Sequence, residues 1–132
     1  MLEPIVPIDH PMHDELRALR HQLEAAWRAD TSFWPDEWTA VRPSFGQCAV
    51  TALVVEERFG GEICRTINAG VVHYWNLVDG RPVDLTRDQF EVWAPEVETT
   101  TVGAAELVSS GPTLGSRFRL LTARIEATPS SV

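Results

Sequence analysis

Cys48, His73 and Asp84 have the types and the order that thiol nucleophile chemistry requires. Cys48 stands where Ser44-Phe45-Gly46-Gln47 gives way to the apolar run Ala49–Val55, so the pattern predicts a cysteine at a helix N-terminus. A thiol there feels the positive end of the helix dipole and unpaired backbone N–H groups, both of which favour the thiolate. A histidine beside it lowers the thiol pKa further and carries the proton, and a carboxylate behind the histidine fixes its tautomer. The amides at the helix start, Cys48's own among them, are candidates for holding an oxyanion, with Gln47 a candidate side-chain donor. Gly46 lets the chain bend sharply before the cysteine.

Whether His73 and Asp84 can meet depends on a hairpin. Asp79-Gly80, between strand-like Val71–Leu77 and Val83–Leu85, is a favoured two-residue turn. With those two residues as the loop, Val78 pairs with Arg81, Trp75 with Asp84 and His73 with Thr86. Paired residues and residues two apart share a sheet face. His73, Trp75, Asp84 and Thr86 then fall on one face, and Tyr74, Asn76, Val83 and Leu85 on the other. His73 and Asp84 become diagonal neighbours about 5.5–8 Å apart at Cβ. Asn76, an alternative orienting residue, is placed on the wrong face. Trp75 shares the face of His73 and is a candidate to shield the imidazole or line an acyl-binding groove. Each residue also has an ordinary structural use: Cys48 as helix packing, His73 as a hydrogen-bonded strand residue, Asp84 as a turn cap. Taken together, they favour a catalytic triad.

The elements around them read as one α+β domain over residues 1–132, with helices packed on a small, mostly antiparallel sheet. Residues 1–12 hold three prolines and read as an extended lead-in. Leu16, Leu19, Leu23, Ala26 and Trp27 recur at helical spacing from His13 to about Asp30. Residues 31–46 form an aromatic-rich loop, and the second helix runs from Gly46–Cys48 to Phe59 with Gly60 as a left-handed cap. Strands follow at Glu62–Ile67, Val71–Leu77 and Val83–Leu85. A short helix lies near Arg87–Phe90, a strand-like stretch at Val97–Val102, a helical turn at Ala104–Val108 and a last helix at Thr113–Ala127. Residues 128–132 read as a frayed tail.

Composition narrows the function. The net charge of −8 argues against nucleic acid or an anionic membrane as partner. All eleven basic residues are arginine, which removes Schiff-base chemistry and the phosphate-loop lysine. The start shows no secretory signal, and no stretch approaches a membrane span, so a cytoplasmic location with Cys48 and Cys64 as thiols is expected. His10, His13 and His21 lack the spacing of a metal site and are expected to be solvated; no metal or cofactor is expected.

The runs Gly46-Gln47-Cys48-Ala49-Val50-Thr51-Ala52-Leu53-Val54-Val55, Phe59-Gly60-Gly61-Glu62-Ile63, His73-Tyr74-Trp75-Asn76 and Asp84-Leu85-Thr86-Arg87-Asp88-Gln89-Phe90 resemble the YunG-like family of small bacterial proteins. More remotely, the order of Cys helix, His strand and Asp strand resembles the papain-like and transglutaminase-like superfamily. That resemblance implies a helix on a small sheet with Cys48 as nucleophile, His73 as base and Asp84 as orienter. Papain-like proteases place their oxyanion glutamine several residues before the cysteine, whereas Gln47 adjoins it. The expected function is thiol-dependent acyl transfer on a peptide, amide or other small-molecule substrate. The rival expectation is a non-catalytic peptide- or small-molecule-binding module with a vestigial triad.

Overall fold

A computed structural model describes residues 1–127; the expected frayed tail at 128–132 lies outside the described residues. Helical spacing of Leu16, Leu19, Leu23 and Ala26 produces α1 (His13–Ala26), whose apolar stripe is buried in the core. The chain leaves this helix earlier than the expected end near Asp30. Trp27 is already extended, and a single 3₁₀ turn (Ala29–Thr31) follows. That extension lets the Trp27 indole Nε1 donate to Thr51 Oγ1 at 3.0 Å, fastening α1 to the second helix.

The second helix, α2 (Cys48–Phe59), begins at the cysteine and is buried along Val50–Val55, as its nearly all-round apolarity requires. Gly60 ends it at φ 72°, ψ −151°, an extended mirror conformation open to glycine rather than the expected left-handed cap. Three strands then run in succession: β1 (Glu62–Asn68), β2 (Val71–Val78) and β3 (Arg81–Val83). Ala69-Gly70 and Asp79-Gly80 form their two-residue turns, all four residues with positive φ, as hairpins of this kind demand. A fourth strand, β4 (Thr100–Val102), joins the far edge, giving the antiparallel order β3-β2-β1-β4. Helices α3 (Ala104–Ser109) and α4 (Leu114–Ala127) complete the chain, with Leu107, Leu114, Leu121 and Ile125 buried. The fold is thus α+β, with the helices packed against a small antiparallel sheet.

The hairpin has the anticipated register: Val78 pairs with Arg81 and Asn76 with Val83. The third strand, however, occupies Arg81–Val83 instead of Val83–Leu85. Asp84 leaves the β2 ladder and bridges Ile5, with both backbone bonds between them made at 2.8 and 3.0 Å. The N-terminal lead-in is therefore docked rather than merely extended, and Leu2 N–H also donates to the Phe90 carbonyl. This early departure of β3 has a consequence for β2. Val78, closing the two-residue turn, directs its backbone groups toward β3, and so by alternation do Asn76, Tyr74 and Val72. Beyond Asn76 the strand has no β3 partner, so the groups of Tyr74 and Val72 face the start of α2.

Candidate active site

Cys48 fills that edge. Its Sγ lies 4.0 Å from the Val72 carbonyl, and the Tyr74 backbone N–H also reaches the sulfur. Gly46, at φ +73°, brings the chain in: a Cβ there would stand 2.1 Å from Ser32 Oγ and 3.0 Å from Phe33 N. Glycine is therefore required both by conformation and by close approach. The thiol is half-buried, whereas the second cysteine, Cys64, is fully buried in β1 with its pKa pushed up, chiefly by burial and then by Glu62.

His73 projects from β2 with no solvent exposure and donates or accepts through Nε2 to Asp84 Oδ2 at 2.8 Å. Asp84 is equally enclosed and carries two further contacts: Arg87 Nε donates to Oδ2 at 2.9 Å, and Thr86 N–H donates to Oδ1 at 3.3 Å. Nε2 is committed to the carboxylate, and the Cys48 thiol is close enough to the imidazole for each to act on the other's ionisation. The structure therefore brings Cys48, His73 and Asp84 together in one chain of contacts.

Their electrostatics are coupled. Burial alone would raise the Cys48 pKa, but the hydrogen bond and charge of His73, with the Tyr74 N–H, outweigh it and hold the thiol below its ordinary value of 9.0 despite the opposing charge of Asp84. Burial would likewise lower His73. Its contacts with Asp84 and Cys48 prevail and raise it from 6.5 to about 9. Each partner stabilises the charged form of the other.

Gln89, which no sequence pattern singles out, bridges the site. Its Nε2 stands 3.1 Å from His73 Nδ1, while its Oε1 accepts from Gly46 N–H at 3.4 Å. An amide so held donates to the Nδ1 lone pair when the imidazole is neutral. It also ties the base to the loop that delivers the nucleophile. The only hint in the sequence is that Gln89 is the uncharged polar side chain of the short turn after Asp84. That turn (Arg87–Gln89) is anchored from α1, where Arg20 meets Asp88 at 2.6 Å and the Leu85 carbonyl at 3.5 Å.

The aromatic walls of the imidazole are Phe90 and Trp93, both edge-on, at 4.9 and 5.6 Å between ring centres. Trp93 is itself capped by the Arg87 guanidinium at 3.8 Å. Its segment is pinned by buried Asn68, which donates to Val92 O and accepts from Ala94 N–H. Trp75 shares the face of His73, but its indole donates to Thr66 Oγ1. Gln47 is fully buried and donates Nε2 to the Arg28 carbonyl, leaving its Oε1 without a partner among the described residues. Asn76 lies on the opposite face and donates to the Ala52 carbonyl of α2. His10 is not solvated as expected. It is buried, its Nδ1 accepts from Met12 N–H, and its Nε2 lies 3.2 Å from Asp79 Oδ2. Among the described residues no three His, Cys, Asp or Glu side chains form a metal-binding group, and no helix is long and apolar enough to cross a membrane.

Fold and site together define a small α+β protein whose helix-start thiol meets a buried histidine–carboxylate pair at the edge of an antiparallel hairpin. A family model described as YunG protein matches residues 15–129, and the chain belongs to that family. It is 37% identical over 73 residues to a Bacillus subtilis (strain 168) protein named "Uncharacterized protein YunG". That match covers 55% of this chain and 61% of the relative's length. No solved structure matches significantly.

Proposed function

We propose that the protein is a thiol-dependent acyl-transfer enzyme, with the Cys48–His73–Asp84 contact chain as its machinery. The observation that carries this reading is the coupled pair at its centre. A half-buried thiol, held below its ordinary pKa, lies beside a histidine whose Nε2 is fixed 2.8 Å from a buried carboxylate. A packing cysteine needs none of this, and a structural histidine does not need a thiol beside it.

In the proposed reaction, the Cys48 sulfur adds to the carbonyl carbon of an amide or ester as its proton resides on His73 Nδ1. Backbone N–H groups at the start of α2 receive the oxyanion. The tetrahedral intermediate collapses, the C–N or C–O bond breaks, and the imidazolium gives its proton to the leaving amine or alcohol. Water or an amine then attacks the thioester, surrenders a proton to His73 and restores the thiol. Asp84 holds the imidazole with Nε2–H toward itself throughout, and Gln89 steadies Nδ1 in the neutral stages. This use of a helix-borne cysteine and strand-borne histidine and aspartate resembles papain-like and transglutaminase-like enzymes. Here Gln47, engaged with Arg28, is less suited than the backbone amides to oxyanion binding.

Incubation with a p-nitrophenyl ester is expected to leave one acyl group on Cys48, seen as a mass increase on the Cys48 peptide, with a burst of nitrophenol. The Cys48→Ser variant is expected to show neither. Ester turnover equal in both proteins, with no adduct, would overturn the assignment and favour a binding module.

A further inference from the structure

We propose that Arg117 forms a carboxylate-binding subsite beside Cys48, so that the substrate of the acyl-transfer site is an amide or ester bearing a carboxylate; this rests on Cys48 being the nucleophile. A cleft of about 430 Å³ opens between α4 and the loop after the first 3₁₀ turn, with Ser32, Phe33, Thr113, Ser116, Arg117 and Leu120 in its lining. Its wall is built onto the segment that delivers the cysteine. Phe33 N–H donates to the Gly46 carbonyl at 2.9 Å, Ser32 Oγ donates to the Phe45 carbonyl at 2.9 Å, and Gly46 lies tight against Ser32. The cleft wall is therefore fastened to the chain two residues before Cys48.

Charge within the cleft is unbalanced. Asp30 lines it, but both its oxygens are taken by Arg124, at 3.1 and 2.8 Å. Arg117 makes no ion pair among the described residues. Its Nε donates to Thr113 Oγ1 at 3.1 Å and its Nη1 to the Thr31 carbonyl at 3.3 Å, while the guanidinium lies 5.8 Å from the centre of the Phe33 ring. Those neutral contacts fix the fork and leave Nη2 without a partner among the described residues. Burial pushes the guanidinium down from its usual range, and the Cys48 charge is near enough to act on it in the opposite direction. A half-buried, oriented cation with a free donor edge is the arrangement that binds carboxylate.

The test compares alkylation of Cys48 by iodoacetate and iodoacetamide, which form the same S–C bond with loss of iodide but differ in charge. Peptide mass spectrometry reports Cys48 separately from Cys64. At one pH the ratio of the two rates cancels the thiolate fraction. Arg117→Gln is expected to lower the iodoacetate-to-iodoacetamide ratio about five- to tenfold, as loss of one oriented charge contact would. Arg117→Lys is expected to recover it in part, and Arg58→Gln, at the exposed far end of α2, is expected to leave it unchanged. A ratio unaltered in Arg117→Gln, or lowered equally in Arg58→Gln, would overturn the subsite while leaving rapid iodoacetamide labelling, and hence the nucleophile, intact. Slow labelling by both reagents in the unmodified protein would instead remove the nucleophile and the subsite with it.

Discussion

Replacing His73 with alanine is expected to slow alkylation of Cys48 by iodoacetamide about 10–100-fold at about pH 6. The direction follows from what remains around the sulfur. His73 supplies the hydrogen bond and the positive charge that oppose burial of the thiol. Without it only the Tyr74 N–H favours the thiolate, against burial and the Asp84 charge. The thiol pKa should then rise to or above its ordinary value, and each unit of rise removes about nine-tenths of the thiolate present at acidic pH. Because the His73 ring packs against both Phe90 and Trp93, alanine also leaves a cavity. His73→Gln keeps most of the volume and should show the same slowing. A fall in rate for alanine alone would indicate collapse of the pocket rather than loss of a base.

The second large effect is on stability. Asp84→Asn is expected to cost about 2–4 kcal/mol at about pH 6, and distinctly less at about pH 9 and above. Asp84 is buried against both His73 and Arg87, so the substitution strips two cations of their carboxylate. The pH dependence comes from His73, whose pKa is raised on folding from 6.5 to about 9. A raised base contributes stability that is fully present below the unfolded value and is lost as pH climbs through the folded value. Asparagine removes the principal cause of that rise, so the penalty is greatest below about pH 6.5 and shrinks toward about pH 9. Cys48 adds an opposite dependence: its lowered pKa contributes stability present above its unfolded value and lost as pH falls through the folded one. Urea unfolding of both proteins across this range checks the sign; a penalty independent of pH would mean that His73 does not titrate with Asp84.

How much of this was legible in the sequence depends on the range of the interaction concerned. The start of α2 at Cys48 followed from an apolar run meeting a glycine-containing loop. The hairpin register followed from Asp79-Gly80, because a two-residue turn dictates every pair beyond it. Those two local facts sufficed to place His73 and Asp84 on one face and Asn76 on the other. Contacts set by distant segments were out of reach. Nothing in Val83–Leu85 says that pairing with β2 stops at Val83, leaving open the β2 edge that receives the thiol, or that Ile5 will bridge Asp84. In sequence Gln89 is an ordinary residue of a short turn; Gly46 and His73 converge on it from other elements. Trp93 was indistinguishable from the other tryptophans because Asn68, far away in sequence, is what holds its segment against the imidazole. Arg117 is likewise defined by the company it lacks: its neighbour Asp30 is already occupied by Arg124.

The central claim, that His73 holds Cys48 as a reactive thiolate, is tested most directly by titrating that thiolate in the folded protein. The measurement is the ultraviolet absorbance of the unmodified protein minus that of Cys48→Ser, followed across pH, which isolates Cys48 from Cys64. The predicted curve rises with a midpoint below the ordinary thiol value of 9.0 and moves up toward or past it in the His73→Gln variant. A midpoint at the ordinary value, unchanged when His73 is replaced, would contradict the account.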